Sequence, residues 1–251
     1  MKLLVLYVFH EYNERVEYFF MNAFFQDPNV DFVIISNSLD DKHIPIDLLL
    51  HYTNITFIKR ENNGYDFGGW SEALFKDNLY QKYDFFIFVN SSALGPFLPS
   101  YYKEKWTTIF IEGLHDNIKL FGSTINTAGY HNQVDPCSWA HIQSYIFSMD
   151  KETLTYLIHC EIFSLSNHSD TLVDAVYNKE ILMSRKIIEK GWNIGCLYNY
   201  YKHVDFTFQT PLPDDYCFHF LPDIMYPWYY NEKVWSLTEL VFIKGNRVSI
   251  A

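Results

Sequence analysis

Asp84-Phe85-Phe86-Ile87-Phe88-Val89-Asn90-Ser91-Ser92 decides the architecture of this chain. Its apolar run, 84–89, is Phe-, Ile- and Val-rich in both alternating registers, so the strand it forms is buried on both faces. The run stops abruptly in small polar residues, which therefore project from the carboxyl edge of a sheet. Read alone, Asn90-Ser91-Ser92 is also an ordinary turn that caps the next element. Working outward, 2–9, Val30–Ser36 and Ile55–Lys59 are further β-forming runs, the second closed by Asn37-Ser38. Between them, 14–25 carries Val16, Phe19, Phe20, Ala23 and Phe24 at helical spacing, and 46–52 and 70–77 read as helices. Buried strands alternating with helices imply an α/β fold with a mostly parallel central sheet and helices on both faces.

Beyond Pro99 the reading continues with a short strand at 120–124, a strand then a helix within 142–158, and a strand at 193–198. A helix over 180–190 is stopped by Gly191, at the position where a left-handed residue ends a helix. From Thr210 onward Pro, Asp, Tyr and Trp dominate and the periodicity fades. The expectation is a single domain over 1–251, with a core of 1–205 and a wrapping segment of 206–251.

Composition narrows the function. A formal net charge of -11 excludes general nucleic-acid binding, which needs Lys and Arg against phosphates. The same charge means that an anionic ligand must be met by local cations rather than by the overall field. Much of the aromatic content, 20 Tyr and 22 Phe, must be core, and the rest are candidates for stacking on sugars or bases. Cys137, Cys160, Cys196 and Cys217 form no CxxC pair, and their apolar neighbours read as buried free thiols in a reducing, cytoplasmic setting. The apolar opening ends at His10-Glu11, too early for a transmembrane segment or a leader. Neither a Gly-x-Gly-x-x-Gly turn, nor a Walker A loop, nor a Gly-x-Ser-x-Gly elbow occurs. Dinucleotide dehydrogenases, P-loop NTPases and serine hydrolases of the elbow type are thereby excluded.

Three segments carry chemistry. Arg60-Glu61-Asn62-Asn63-Gly64-Tyr65-Asp66-Phe67-Gly68-Gly69-Trp70 follows the third strand, where ligands bind in open α/β sheets. Its glycines let backbone approach a ligand, and the following helix start offers free amides. Read blandly, it is a turn with Asp66 as a helix cap. Asn90-Ser91-Ser92 is the second segment. The third is Asn178-Lys179-Glu180-Ile181-Leu182-Met183-Ser184-Arg185, running on to Gly191-Trp192-Asn193-Ile194, with Glu180 at a helix start favoured by the dipole.

The order of these segments resembles the GT-A glycosyltransferases, and among them the rhamnan-synthesis-like and related polysaccharide enzymes. Residues 62–70 resemble their Asn-x-Gly-x-Asp-x-Gly-Gly donor-side loop. The strand ending in Asn90-Ser91-Ser92 sits where such enzymes carry an Asp-x-Asp metal motif, and 180–193 resembles the segment in which a carboxylate leads a helix. The likeness spans roughly residues 1–205. It implies a GT-A fold and a hexosyl- or pentosyltransferase that uses a nucleotide-sugar donor and a glycan or other hydroxyl acceptor. Glu180 becomes the candidate general base, with Asp135 its rival. His10, Glu11, Arg60, Asn63, Gly64, Asp66, Gly68, Gly69, Asn90, Ser91, Ser92 and Arg185 become candidate donor contacts. Trp139 and His141 border an acceptor groove, and Trp228, Tyr229 and Tyr230 offer stacking rings.

One departure bears on cofactors. Asn90 and Ser92 stand in place of two aspartates, and neutral ligands hold Mn²⁺ or Mg²⁺ less well than carboxylates. Three readings stay open. The metal is absent, and Lys59, Arg60, Arg185, Lys202 or His203 balances the diphosphate. It is held weakly by Asn90, Ser92 and His203, or by the donor's own phosphates with Asp66, His203 or His219. Or the chain binds sugars or nucleotides without transferring them. Weak or substrate-assisted metal binding is the expectation.

Overall fold

The computed structural model describes residues 1–40, 44–49, 51–129, 134–209, 220–232 and 234–248. Its strands are β1 (Leu3–Phe9), β2 (Val30–Ser36), β3 (Ile55–Lys59), β4 (Phe85–Asn90), β5 (Ala93–Leu94), β6 (Ile118–Gly122), β7 (Ile125–Asn126), β8 (His141–Ile142), β9 (Ile146–Asp150), β10 (Asn193–Cys196) and β11 (Ile243–Lys244). Its α-helices are α1 (Glu14–Asn22), α2 (Ile46–Leu49), α3 (Tyr65–Phe75), α4 (Trp106–Glu112), α5 (Pro136–Trp139), α6 (Lys151–His159), α7 (Leu172–Ala175), α8 (Leu182–Glu189), α9 (Pro227–Asn231) and α10 (Leu237–Leu240).

The main sheet runs β10-β6-β9-β4-β1-β2-β3. Its pairings are parallel except those of β9, which lies antiparallel to both β4 and β6. The fold is therefore α/β with a mostly parallel central sheet. Two-residue alternation explains why the strands need cover on both sides. Leu4, Leu6 and Val8 of β1 face one core with Phe86 and Phe88 of β4, against Trp70, Leu74, Leu154 and Ile187. Leu3, Val5, Tyr7 and Phe9 face the other with Ile87 and Val89, against Phe19, Phe20, Trp106 and Phe110.

Reversal of β9 has a consequence for the site. Val89 pairs with Ile146, so Ser144 and Tyr145 enter the sheet at the same edge where β4 ends in Asn90. Tyr145 carbonyl accepts the Asn90 N–H at 3.1 Å. That edge also collects the ends of β1, β2 and β3, hence His10, Asn37 and Arg60.

Two element readings needed correction. α3 begins at Tyr65, not at residue 70, so Asp66, Gly68 and Gly69 are helical rather than in a loop. Glu180 does not start a helix. It lies in a π-helical stretch, Val176–Ile181, that joins α7 to α8 in one rod capped by Thr171. Gly191 does end that rod as expected, with φ +83°. Its N–H reaches Ile188 carbonyl and the Trp192 N–H reaches Ile187 carbonyl, the paired bonds of a Schellman motif.

The described C-terminal residues pack into the sheet's two cores. Ile224, Met225, Leu240 and Ile243 join one core, and Phe242 enters the other beside Trp106. β11 pairs antiparallel with β5, setting Lys244 opposite Ala93. Cys196 is buried, but Cys137 is exposed and Cys160 half-buried, which corrects the reading of all the cysteines as buried. Cys217 and His219 lie outside the described residues. Among the described residues no helix is long and apolar enough to cross a membrane.

Candidate functional site

Three of the sequence candidates meet at the carboxyl edge of the sheet. Asp66, in the first turn of α3, accepts a hydrogen bond from Asn90 Nδ2 at 2.9 Å. It is no helix cap: Gly64 holds that position, without a side-chain bond, and the Asp66 carboxylate turns to β4. Gly64 and Tyr65 both lie in the left-handed region, at φ +76° and +54°. For a tyrosine that conformation costs about 1–3 kcal/mol, and such strain concentrates at functional sites.

Glu180 completes the group. Its Oε2 accepts the Ser144 N–H at 2.8 Å and the Ser144 hydroxyl, while Oε1 stands 3.6 Å from His141 Nε2. No donor hydrogen-bonds Oε1 among the described residues. His141 turns Nδ1 to the Trp139 carbonyl, so a neutral ring presents a lone pair toward Glu180. A π-helical turn widens the helix at this point, and turns of this kind recur at functional sites.

The electrostatics tie these residues together. Burial pushes the Asp66 carboxyl up to about 6; the Asn90 hydrogen bond and Lys244 oppose that push, and Glu180 adds to it. Burial likewise works against a charged Glu180, but Lys244 and the Ser144 hydrogen bonds oppose it, and the carboxyl is held below its ordinary range. Burial lowers His141, keeping the imidazole neutral near pH 7 against the pull of Glu180. Lys244, which carried no signal in the sequence, thus acts on all three groups.

Other candidates are spent on the scaffold. Arg60 is 6% exposed and donates to Asn37 Oδ1, the Asn63 carbonyl and Glu72, at 2.7, 2.7 and 2.8 Å. It fastens β3 to α3 and points no charge outward. A Cβ on Gly68 would strike the Asn63 carbonyl, and one on Gly69 would sit 2.9 Å from both Val8 and Asn37. Gly69 lets the helix press on the sheet, and Gly68 lets it close on the Asn63 carbonyl, so neither serves ligand approach. Gly64 is covered by His168. Asn63 offers its side chain to solvent.

His10 is exposed beyond β1, with Nδ1 at 2.8 Å from the Asn37 carbonyl, and Glu11 beside it is exposed too. Ser91 carbonyl accepts from Arg15, and the Ser92 N–H donates to Asn90 Oδ1 at 2.9 Å. Asp135 caps α5 through the Cys137 and Ser138 amides, which occupies the rival base. Arg185 is half-buried on α8, with its Nη1 lacking a hydrogen-bond partner, near enough to Asp135 for their charges to interact. His203 is separated from the rest. The neighbouring Val204 carbonyl accepts from Asn193, at the opening residue of β10, and His203 lines a cavity of about 600 Å³ with Asn117, Ile118 and Lys202. That is the amino end of β6 and β10, opposite the edge that carries Asn90.

The set of groups bears on the metal. Asn90 spends its oxygen on Ser92 and its amide on Asp66, His203 is distant, and no three His, Cys, Asp or Glu side chains gather among the described residues. The described residues do not fit a divalent cation held by the protein.

A family model described as rhamnan synthesis protein F matches residues 32–223. No curated protein matches the sequence. Among solved structures, the chain is similar to the mannosyltransferase PcManGT from Pyrobaculum calidifontis, in complex with GDP-Man and Mn²⁺. That likeness has 14% identity and a TM-score of 0.47, over 92% of this chain and 59% of the other. It is similar to the glycosyltransferase GlyE of Streptococcus pneumoniae TIGR4 at 10% identity and TM-score 0.41, over 96% and 62%. It is also similar to S. aureus TarS 1-349 at 14% and 0.36, over 68% and 52%. The chain thus spans less than two thirds of each of these structures. The family match spans most of this chain, and by it the chain, with its mixed α/β, mostly parallel sheet, belongs to the rhamnan synthesis protein F family.

Proposed function

We propose that this chain transfers a sugar, hexose or pentose, from a nucleotide-sugar donor to a hydroxyl of a glycan or similar acceptor. The observation that carries the reading is the half-anchored carboxylate of Glu180. Ser144 fixes Oε2, and Oε1 is left without a donor, at the sheet edge shared with Asp66 and Asn90. A hydroxyl attacks well only as its proton is removed, and a charged, oriented carboxylate oxygen is suited to take it. In an inverting transfer, Glu180 Oε1 would accept that proton while Ser144 holds the carboxylate in place.

Asp66 and Asn90 would face the donor, with Ser91, Ser92, His10 and Glu11 around it. Arg60, Asn63, Gly64, Gly68 and Gly69 would shape the donor side from behind, and Arg185 and Asp135 would border the acceptor side.

A second reading is favoured by one observation, the neutral Asn90 and Ser92: a protein of the same fold that binds the donor and leaves it intact. One experiment separates the two. The chain is screened by thermal shift against UDP-, GDP-, dTDP- and CDP-sugars, and the stabilising one is followed over time. Release of the nucleoside diphosphate with acceptor or water supports transfer. Stabilisation with an unchanged donor supports the binding protein.

A further inference from the structure

A chain of net charge -11 that handles a diphosphate must bring a cation to it locally. Three of the cations raised by sequence do not serve. Arg60 is buried against Glu72, and Lys202 and His203 sit at the far end of the strands. β11 brings another one. Lys244 pairs with Ala93 across the two-stranded β11-β5 ladder, and the next residue, Gly245, donates its N–H to the Ser92 carbonyl at 2.8 Å. Lys244 is thus pinned beside the Asn90-Ser91-Ser92 turn by backbone bonds on both sides.

Its side chain is half-buried and, among the described residues, makes no ion pair or hydrogen bond. Its charge nevertheless acts on Asp66, Glu180 and His141. Arg247, on the same C-terminal turn, is already paired with Asp223 and lies over the Tyr226 ring. Lys244 is therefore a cation beside this turn whose head, among the described residues, has no partner.

We propose that Lys244 binds the diphosphate of the donor and stabilises the departing nucleoside diphosphate, in the role that a divalent cation fills where two aspartates hold one. The proposal rests on the transferase reading above. In the transfer, the bond between the sugar's anomeric carbon and the diphosphate oxygen breaks, and its electron pair leaves with that oxygen. A bond forms from the same carbon to the acceptor oxygen, whose proton passes to Glu180. Lys244 neutralises the charge that accumulates on the phosphate.

Calorimetric titration with UDP, GDP, dTDP and CDP in EDTA, and again in Mn²⁺, tests this on wild type, Lys244→Gln, Lys244→Arg and Lys202→Gln. Wild type is expected to bind one of the four in EDTA. Lys244→Gln should lose about 10- to 100-fold in affinity, the worth of a charge-assisted hydrogen bond, with Lys244→Arg retaining most of it and Lys202→Gln all of it. The matching nucleoside monophosphate should bind wild type and Lys244→Gln alike. Binding that requires Mn²⁺, or a Lys244→Gln affinity equal to wild type, overturns the role of Lys244 and leaves the transferase reading intact. Binding of no nucleotide in either condition removes the donor site and both proposals with it.

Discussion

Asp66 carries the clearest signature of a residue kept for something other than stability. Its half-buried carboxyl packs against Asn90, and desolvation pushes its pKa up to about 6, with Glu180 adding to the rise. A carboxyl raised in the folded state takes up its proton there first. Its contribution is therefore full below pH 4 and lost as the pH climbs through 6. Two pKa units cap the cost at about 3 kcal/mol. Asp66→Asn should raise the melting temperature above pH 6, with the gain shrinking toward zero at pH 4. A variant less stable than wild type at both pH values would show that the carboxylate supports the fold. Asp66 was legible in the sequence as one residue of a loop. Its partner was not, because the 2.9 Å bond to Asn90 joins strand ends that only the sheet order brings together.

At the scale of elements, strands were read more closely than helices. Val30–Ser36 and Ile55–Lys59 were read from composition to the residue, since β-branched runs bounded by polar residues leave little choice. α3 was read five residues short because Gly68-Gly69 argues against a helix by propensity. Packing overrode propensity: the missing side chain of Gly69 lets α3 settle on Val8, Ile35 and Asn37. Gly69→Ala should then lose about 1–2 kcal/mol in urea unfolding, the overpacking penalty exceeding the helical gain of alanine. Gly191→Ala should lose about 1 kcal/mol for a different reason, its φ of +83°, because nothing lies within 4 Å of an added Cβ. Equal stability of both variants and wild type would contradict this account of the glycines. The π-helical turn at Glu180 left no mark in the sequence, since no Gly or Pro announces it.

Across the whole molecule, the two cores meet at the C-terminal strand. Phe242 is fully buried, 5.1 Å from the ring of Trp106 and 6.0 Å from that of Phe110, and its neighbour Ile243 enters the opposite core. Phe242→Ala should cost about 3–5 kcal/mol. At temperatures where the variant stays folded it should also weaken nucleotide binding, because β11 carries Lys244 to the site. Unchanged binding in a destabilised Phe242→Ala would detach β11 from function. The sequence read this region as a wrap rich in aromatics and no more, since a two-residue strand paired across about 150 residues of chain has no local pattern.

In the proposed transfer Glu180 takes the acceptor's proton. That step is tested by following nucleoside diphosphate release from the stabilising sugar nucleotide, at saturating donor, with wild type and Glu180→Gln. Glutamine keeps the shape and the bond to Ser144 but takes no proton. Turnover should fall by roughly 10²–10⁴-fold, with donor affinity and melting temperature close to wild type. Turnover within a few-fold of wild type in a folded, donor-binding Glu180→Gln would contradict the account.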